Sequence, residues 1–174
     1  PLYGFGQAEI YLKDTLKDIP RDTFIISTKV GRGLRKLSKD NSDSRSEFPD
    51  FFLNAAPYDT YWDFSYDGIR QSFEGSLDRM GLDKINILYI HMLPESYDEV
   101  LNSAYPAVEK LKEEGLVDAI GIGVDFVEPL VKFLKADTEF DIFMLAGRYT
   151  LLDTSALNEL IPLCLTKGVS LSLA

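Results

Sequence analysis

The chain has 174 residues, 45% of them hydrophobic, which is enough for one domain with a sizeable apolar core. Its formal net charge of -10 argues against nucleic acid or an anionic membrane as a partner, since an acidic surface repels both. A single cysteine, Cys164, allows no internal disulfide and suits a reducing compartment. No apolar run has membrane-spanning length and no signal-peptide pattern opens the chain, so a cytoplasmic protein is expected.

In chain order, Tyr3-Gly4-Phe5-Gly6 precedes a helical run. Short apolar runs then recur at 24–28, 85–90, 119–124, 140–146 and 169–173, and they read as strands buried on both faces of a parallel sheet. Helical stripes lie between them: Ile69, Phe73, Leu77 and Met80; Val127, Leu130, Val131 and Leu134; Leu157, Leu160, Ile161, Cys164 and Leu165. Gly81, Gly115 and Gly168 each follow a helical stretch and precede a strand, as left-handed helix stops do. Helix, glycine, strand in repetition means βα units. Five strands suit an open doubly wound sheet or part of an eight-stranded βα barrel.

Residues 33–63 break this rhythm. They run Ser/Asp/Asn-rich and then aromatic (Phe48, Phe51, Phe52, Tyr58, Tyr61, Trp62) without clear periodicity, and they read as one long loop. In a barrel that loop would overhang the active face, either touching substrate or forming a surface excursion with its own aromatic cluster. No internal repeat or linker divides the chain, so residues 1–174 are expected to form a single partial domain.

Two titratable side chains close predicted strands, Lys29 in Ser27-Thr28-Lys29 and His91 in Tyr89-Ile90-His91. In a βα barrel the chemistry sits at such carboxyl ends, where the strand fixes the backbone and the next loop opens the side chain to substrate. A lysine ending a buried strand is costly unless it is paired, used or snorkelling to the strand mouth. A Schiff-base lysine of an aldolase-like barrel is another active reading. His91 is the sole histidine, and Tyr3 is one of nine tyrosines. Gly4-x-Gly6 lacks the third glycine and the preceding strand of a dinucleotide fingerprint. The sequence has no phosphate loop, metal-ligand spacing or nucleophile elbow.

Taken together, Pro1-Leu-Tyr3-Gly-Phe-Gly-Gln-Ala-Glu9, Ser27-Thr-Lys29-Val-Gly-Arg32, Ile87-Leu-Tyr-Ile-His91 and the run from Leu111 to Gly121 resemble the aldo-keto reductase family. Asp63-Phe-Ser-Tyr-Asp-Gly68 and Ala146-Gly-Arg-Tyr-Thr-Leu-Leu-Asp153 are most similar to its sugar-oxidising branch, the D-threo-aldose (L-fucose), pyridoxal and L-galactose dehydrogenases. The resemblance implies a (β/α)8 barrel, incomplete in this chain, that uses NAD(P) on a small carbonyl or sugar substrate. Tyr3 would be general acid in reduction and base in oxidation. A free phenol ionises at about 10, and a Lys29 ammonium beside it would favour the phenolate. His91 would bind and orient the substrate oxygen. Trp62 is the candidate substrate contact and Asp125 the candidate cofactor contact.

Some family features fall elsewhere. The aspartate that supports the lysine would precede Pro1. Gly123-Val124-Asp125 stands where the family often has Ser-Asn, and Ala146 stands near its usual glutamine. The residue that stacks on nicotinamide and the phosphate-gripping segment would follow Ala174. A non-catalytic remnant or regulatory homologue of the same fold is the alternative function.

Overall fold

The computed structural model describes residues 1–37, 52, 55–136 and 138–174. After a tight turn at Tyr3–Gly6, helix α1 (Gln7–Leu16) leads to β1 (Ser27–Val30), β2 (Arg32–Lys36), β3 (Tyr58–Trp62), α2 (Tyr66–Met80) and β4 (Ile85–His91). Then come α3 (Tyr97–Glu99), α4 (Tyr105–Glu113), β5 (Val117–Val124), α5 (Glu128–Lys135), β6 (Ile142–Leu145), α6 (Leu160–Lys167) and β7 (Ser170–Leu173). Strands β1-β4-β5-β6-β7 form one parallel sheet in that order, which is the sequential succession of a βα barrel and not the reversal of a doubly wound sheet.

Alternation along the strands separates two faces. Val30, Leu88, Ile90, Ile120, Ile122, Phe143 and Leu145 point toward the helices and are buried with Ile69, Phe73, Val108, Leu130 and Leu160. Each such side chain contributes about 1.5–3 kcal/mol by leaving water. The opposite, concave face carries Lys29, Tyr89, His91, Gly121, Gly123 and Met144, and it is only partly covered. Burial on both faces, as the apolar runs suggest, therefore holds fully on the helix side, whereas on the concave face Tyr89, Gly121 and Gly123 are buried but Lys29, His91 and Met144 are only partly so.

Several local expectations shift. Pairing in the first strand starts at Ser27, just after Ile26, whose carbonyl accepts from the Asn86 and Ile87 N–H groups and whose N–H donates to the Asn86 side chain. It runs on to Val30, so Lys29 is penultimate. Gly81, Gly115 and Gly168 all have positive φ, as left-handed stops require. In the third helical stripe Leu160 and Cys164 are buried, but Leu157 and Leu165 face solvent. Pro106 lies just inside α4, and the preceding turn at Val100–Ala104 widens to π geometry to accommodate the missing N–H. Among the described residues no helix is long and apolar enough to cross a membrane.

The reading of 33–63 as one loop needs correction. Its two ends pair as the antiparallel hairpin β2–β3, with Arg32 opposite Trp62 and Lys36 opposite Tyr58. Aromatic and β-branched residues spaced two apart at Tyr58, Thr60 and Trp62 are a strand signal that the polar stretch before them obscures. Residues 38–51, with Phe48 and Phe51 of the expected aromatic cluster, and residues 53 and 54 lie outside the described residues.

Candidate active site

The site is assembled by three backbone devices. The first is the turn at Tyr3–Gly6, where Gly4, Phe5 and Gly6 have φ of 61°, 52° and 93°. Three successive left-handed residues fold the chain sharply enough to bring Tyr3 across the end of β1. At Phe5 this conformation carries strain, on the order of 1–3 kcal/mol for a non-glycine residue. Phe5 is 1% exposed and meets Phe52 edge-on at 5.6 Å, while the Gly4 carbonyl accepts a hydrogen bond from the Ala56 N–H at 3.2 Å.

The second device is register. Lys29 is level with Tyr89 on β4, and His91 is level with Gly123 on β5. Gly123 leaves its place bare, and the Lys29 stem lies over it. The Lys29 Nζ stands 5.4 Å from the centre of the Tyr3 ring, over its face. Tyr3 is more than half exposed, so its phenol is open to an incoming substrate.

The third is the hairpin base. Trp62 reaches back over the carboxyl end of the sheet, with its ring 5.4 Å from that of His91 and stacked on Phe64 at 5.6 Å. The Arg32 guanidinium covers Trp62 at 3.9 Å. A cavity of about 110 Å³ is lined by Tyr3, Glu9, Lys29, Arg32, Tyr89 and His91, among others.

The charges acting on His91 are cationic. Burial lowers the His91 imidazole to about 3, helped by the nearby charges of Arg32 and Lys29. His91 is therefore neutral near pH 7, with one N–H to donate and one nitrogen to accept. Burial also raises the Tyr89 phenol, which keeps that group protonated.

Tyr3, Lys29 and His91 thus line one cavity, and Trp62 stands beside His91. Asp125 is exposed past the end of β5, and its carbonyl accepts from Arg148 Nε at 2.6 Å. It is not among the residues lining that cavity. Among the described residues no cluster of His, Cys, Asp or Glu could hold a metal ion.

A family model described as the aldo/keto reductase family matches residues 1–172. The chain belongs to the aldo/keto reductase family. It is 42% identical over 168 residues to D-threo-aldose 1-dehydrogenase of a Pseudomonas species, a match covering 94% of this chain and 50% of that protein. It is 28% identical to pyridoxal 4-dehydrogenase of Microbacterium luteolum, covering 100% and 54% of the two chains. With L-galactose dehydrogenase of Arabidopsis thaliana it shares 30% identity, covering 97% and 46%. The chain spans about half the length of the curated relatives it matches. Among solved structures, the holo form of an aldo-keto reductase from Bacillus halodurans superposes with a TM-score of 0.74 at 26% identity, covering 99% of this chain and 49% of that one.

Sequence reasoning passed over Glu9, Arg32, Tyr89 and Gly123. Glu9 and Arg32 sit inside segments that carry the family resemblance, yet nothing in the sequence gives either a role of its own. Tyr89 and Gly123 could have been found by strand alternation, which puts them on the same face as Lys29.

Proposed function

We propose that the protein is an NAD(P)-dependent oxidoreductase that interconverts a lactone-forming aldose, or a related carbonyl compound, with its oxidised or reduced partner. The observation that carries this reading is the Lys29 ammonium 5.4 Å from the Tyr3 ring in a cavity that also holds neutral His91. A phenol, a fixed cation and a neutral imidazole around one small space are a proton-transfer set.

Tyr3 gives its proton to the carbonyl oxygen in reduction and takes it from the hydroxyl in oxidation. Lys29 places a positive charge where the phenolate's negative charge develops. His91 donates its N–H to the substrate oxygen and so fixes which way the oxygen points toward Tyr3. Trp62 offers an apolar wall beside His91 for a sugar face. The nicotinamide, when bound, supplies or accepts the hydride. The donor set fits such a group, since it handles only the proton and leaves the electron pair to the cofactor. Asp125 is assigned to a cofactor contact, its carbonyl already accepting one hydrogen bond from Arg148 Nε. The identity of the relatives supports a sugar as substrate.

The test is turnover by the full-length protein with L-fucose or pyridoxal and NAD+ or NADP+, each supplied separately. Reduced nicotinamide is expected with the sugar. Tyr3→Phe is expected to lower turnover by roughly 10²–10⁴-fold with cofactor affinity little changed. Near-parental turnover in that variant would show that the proton takes another route.

A further inference from the structure

The least expected group near this site is a buried carboxylate. Glu9, in the first turn of α1, is 6% exposed. Thr28 Oγ1 donates to Glu9 Oε1 at 2.6 Å, and Arg79 Nε donates to Glu9 Oε2 at 2.6 Å. Arg79 comes from the last turn of α2, where its Nη2 also donates to the fully buried Ser76 hydroxyl at 3.2 Å. One carboxylate thus joins α1, β1 and α2.

Two neighbours give this joint its meaning. Thr28 directly precedes Lys29, and successive strand residues face opposite sides. Holding the Thr28 side chain on the helix side therefore fixes the direction in which Lys29 leaves the other side. On the α1 side, Glu9 follows the strained turn that carries Tyr3. Such a turn persists only where its surroundings over-determine it. Phe5 anchors it from inside, and the Arg79 stem packs beneath Gly6, where an added β-carbon would meet Arg79 Cδ at 3.0 Å.

We propose that Glu9 is a positioning residue: bonded to Thr28 and Arg79, it locks the Tyr3 turn onto the Lys29 strand and so sets the phenol-to-ammonium geometry. This rests on the proposed oxidoreductase activity for its catalytic consequence but not for its structural one. A buried carboxylate with two short, charge-assisted bonds is well suited to such a clamp. Its amide analogue is not: even turned so that its oxygen faces Arg79 and its NH2 faces the Thr28 hydroxyl, it makes only neutral-acceptor bonds and leaves the Arg79 guanidinium without a counter-charge.

The experiment uses the full-length protein with lysine labelled at the ε-carbon. The Lys29 ε-methylene, assigned by its loss in Lys29→Arg, should carry an aromatic ring-current shift from Tyr3. In Glu9→Gln that shift should collapse, and turnover should fall on the order of 10-fold or more with KM for the sugar changed less than kcat. The fall should disappear in a Tyr3→Phe background, where Glu9→Gln should add nothing, whereas a general loss of folded protein would lower both backgrounds equally. Thr28→Val, which cuts one arm of the clamp, should show the same pattern more weakly and stands in if Glu9→Gln does not fold. An unchanged ring-current shift together with parental turnover in both variants overturns the clamp. A collapsed shift in Glu9→Gln beside a fully active Tyr3→Phe upholds the clamp and overturns the proposed activity instead.

Discussion

Gly123 is the floor on which the Lys29 side chain rests: a β-carbon there would stand 3.1 Å from Lys29 Cε and 3.4 Å from Tyr89 Cβ. The bare position on β5, one strand beyond β4, lets the amine cross the concave face and reach the Tyr3 ring.

Gly123→Ala should therefore act on activity before stability. The contact is tight by a few tenths of an ångström, and a flexible lysine stem can yield by that much. The fold should survive with a thermal midpoint close to the parent's. The displaced ammonium should cost on the order of 10-fold in kcat, less than the roughly 10²-fold that a full ångström of misplacement can cost. Steady-state kinetics beside a thermal melt separates the two effects. A large drop in midpoint with kcat intact in the folded fraction would mean that Gly123 matters for packing alone.

Gly121, two residues earlier, should behave in the opposite way. A β-carbon there would overlap the Ile142 carbonyl oxygen, which is backbone and cannot swing aside. Gly121→Ala has to separate β5 from β6 at the point where Gly121 and Ile142 are paired. A cost above about 4 kcal/mol is expected, in the range reserved for severe core disruption. Little folded protein should be recovered, as judged by circular dichroism and size-exclusion chromatography. A Gly121→Ala protein with the parent's melting curve would contradict the pairing of Gly121 with Ile142.

Much of this arrangement was legible because parallel strands leave a strong signal. The apolar runs located all five strands to within a few residues, and Gly81, Gly115 and Gly168 marked the helix ends through a conformation that other residues avoid. Lys29 and His91 drew notice at predicted strand mouths, whereas Tyr3, one of nine tyrosines, had no local signal and was picked out with them only through the family resemblance of the segments that carry them. The β2–β3 hairpin was missed, since a strand pair joined across a long polar insertion shows no turn chemistry between its arms. Glu9 was missed for a different reason. A glutamate in a first helical turn ordinarily faces water, and nothing local says that Thr28 and Arg79, from other elements, will close around it. Gly121 and Gly123 look like ordinary strand glycines until the neighbouring strands are in place.

The last prediction concerns pH and follows from His91. Its imidazole is lowered to about 3 in the folded protein, with burial as the main cause and Arg32 and Lys29 adding to it. In the unfolded chain it titrates near its ordinary value of about 6.5. Between those values the unfolded state binds a proton that the folded state does not, so stability falls as pH drops through this window. The slope attributable to this one group is at most about 1.4 kcal/mol per pH unit. His91→Asn removes the titration while keeping a polar side chain. Urea unfolding at a series of pH values from neutral down to mildly acidic should show the parent losing stability faster than His91→Asn as the pH falls. The same neutrality predicts a kinetic result: the acid limb of kcat/KM should not reflect an ionisation near 6.5 that His91→Asn abolishes. Parallel stability curves for the two proteins would mean that His91 titrates alike in the folded and unfolded states. Its imidazole would then be charged in mildly acidic solution, and the cavity beside Lys29 and Arg32 would have to be far better solvated than its burial indicates.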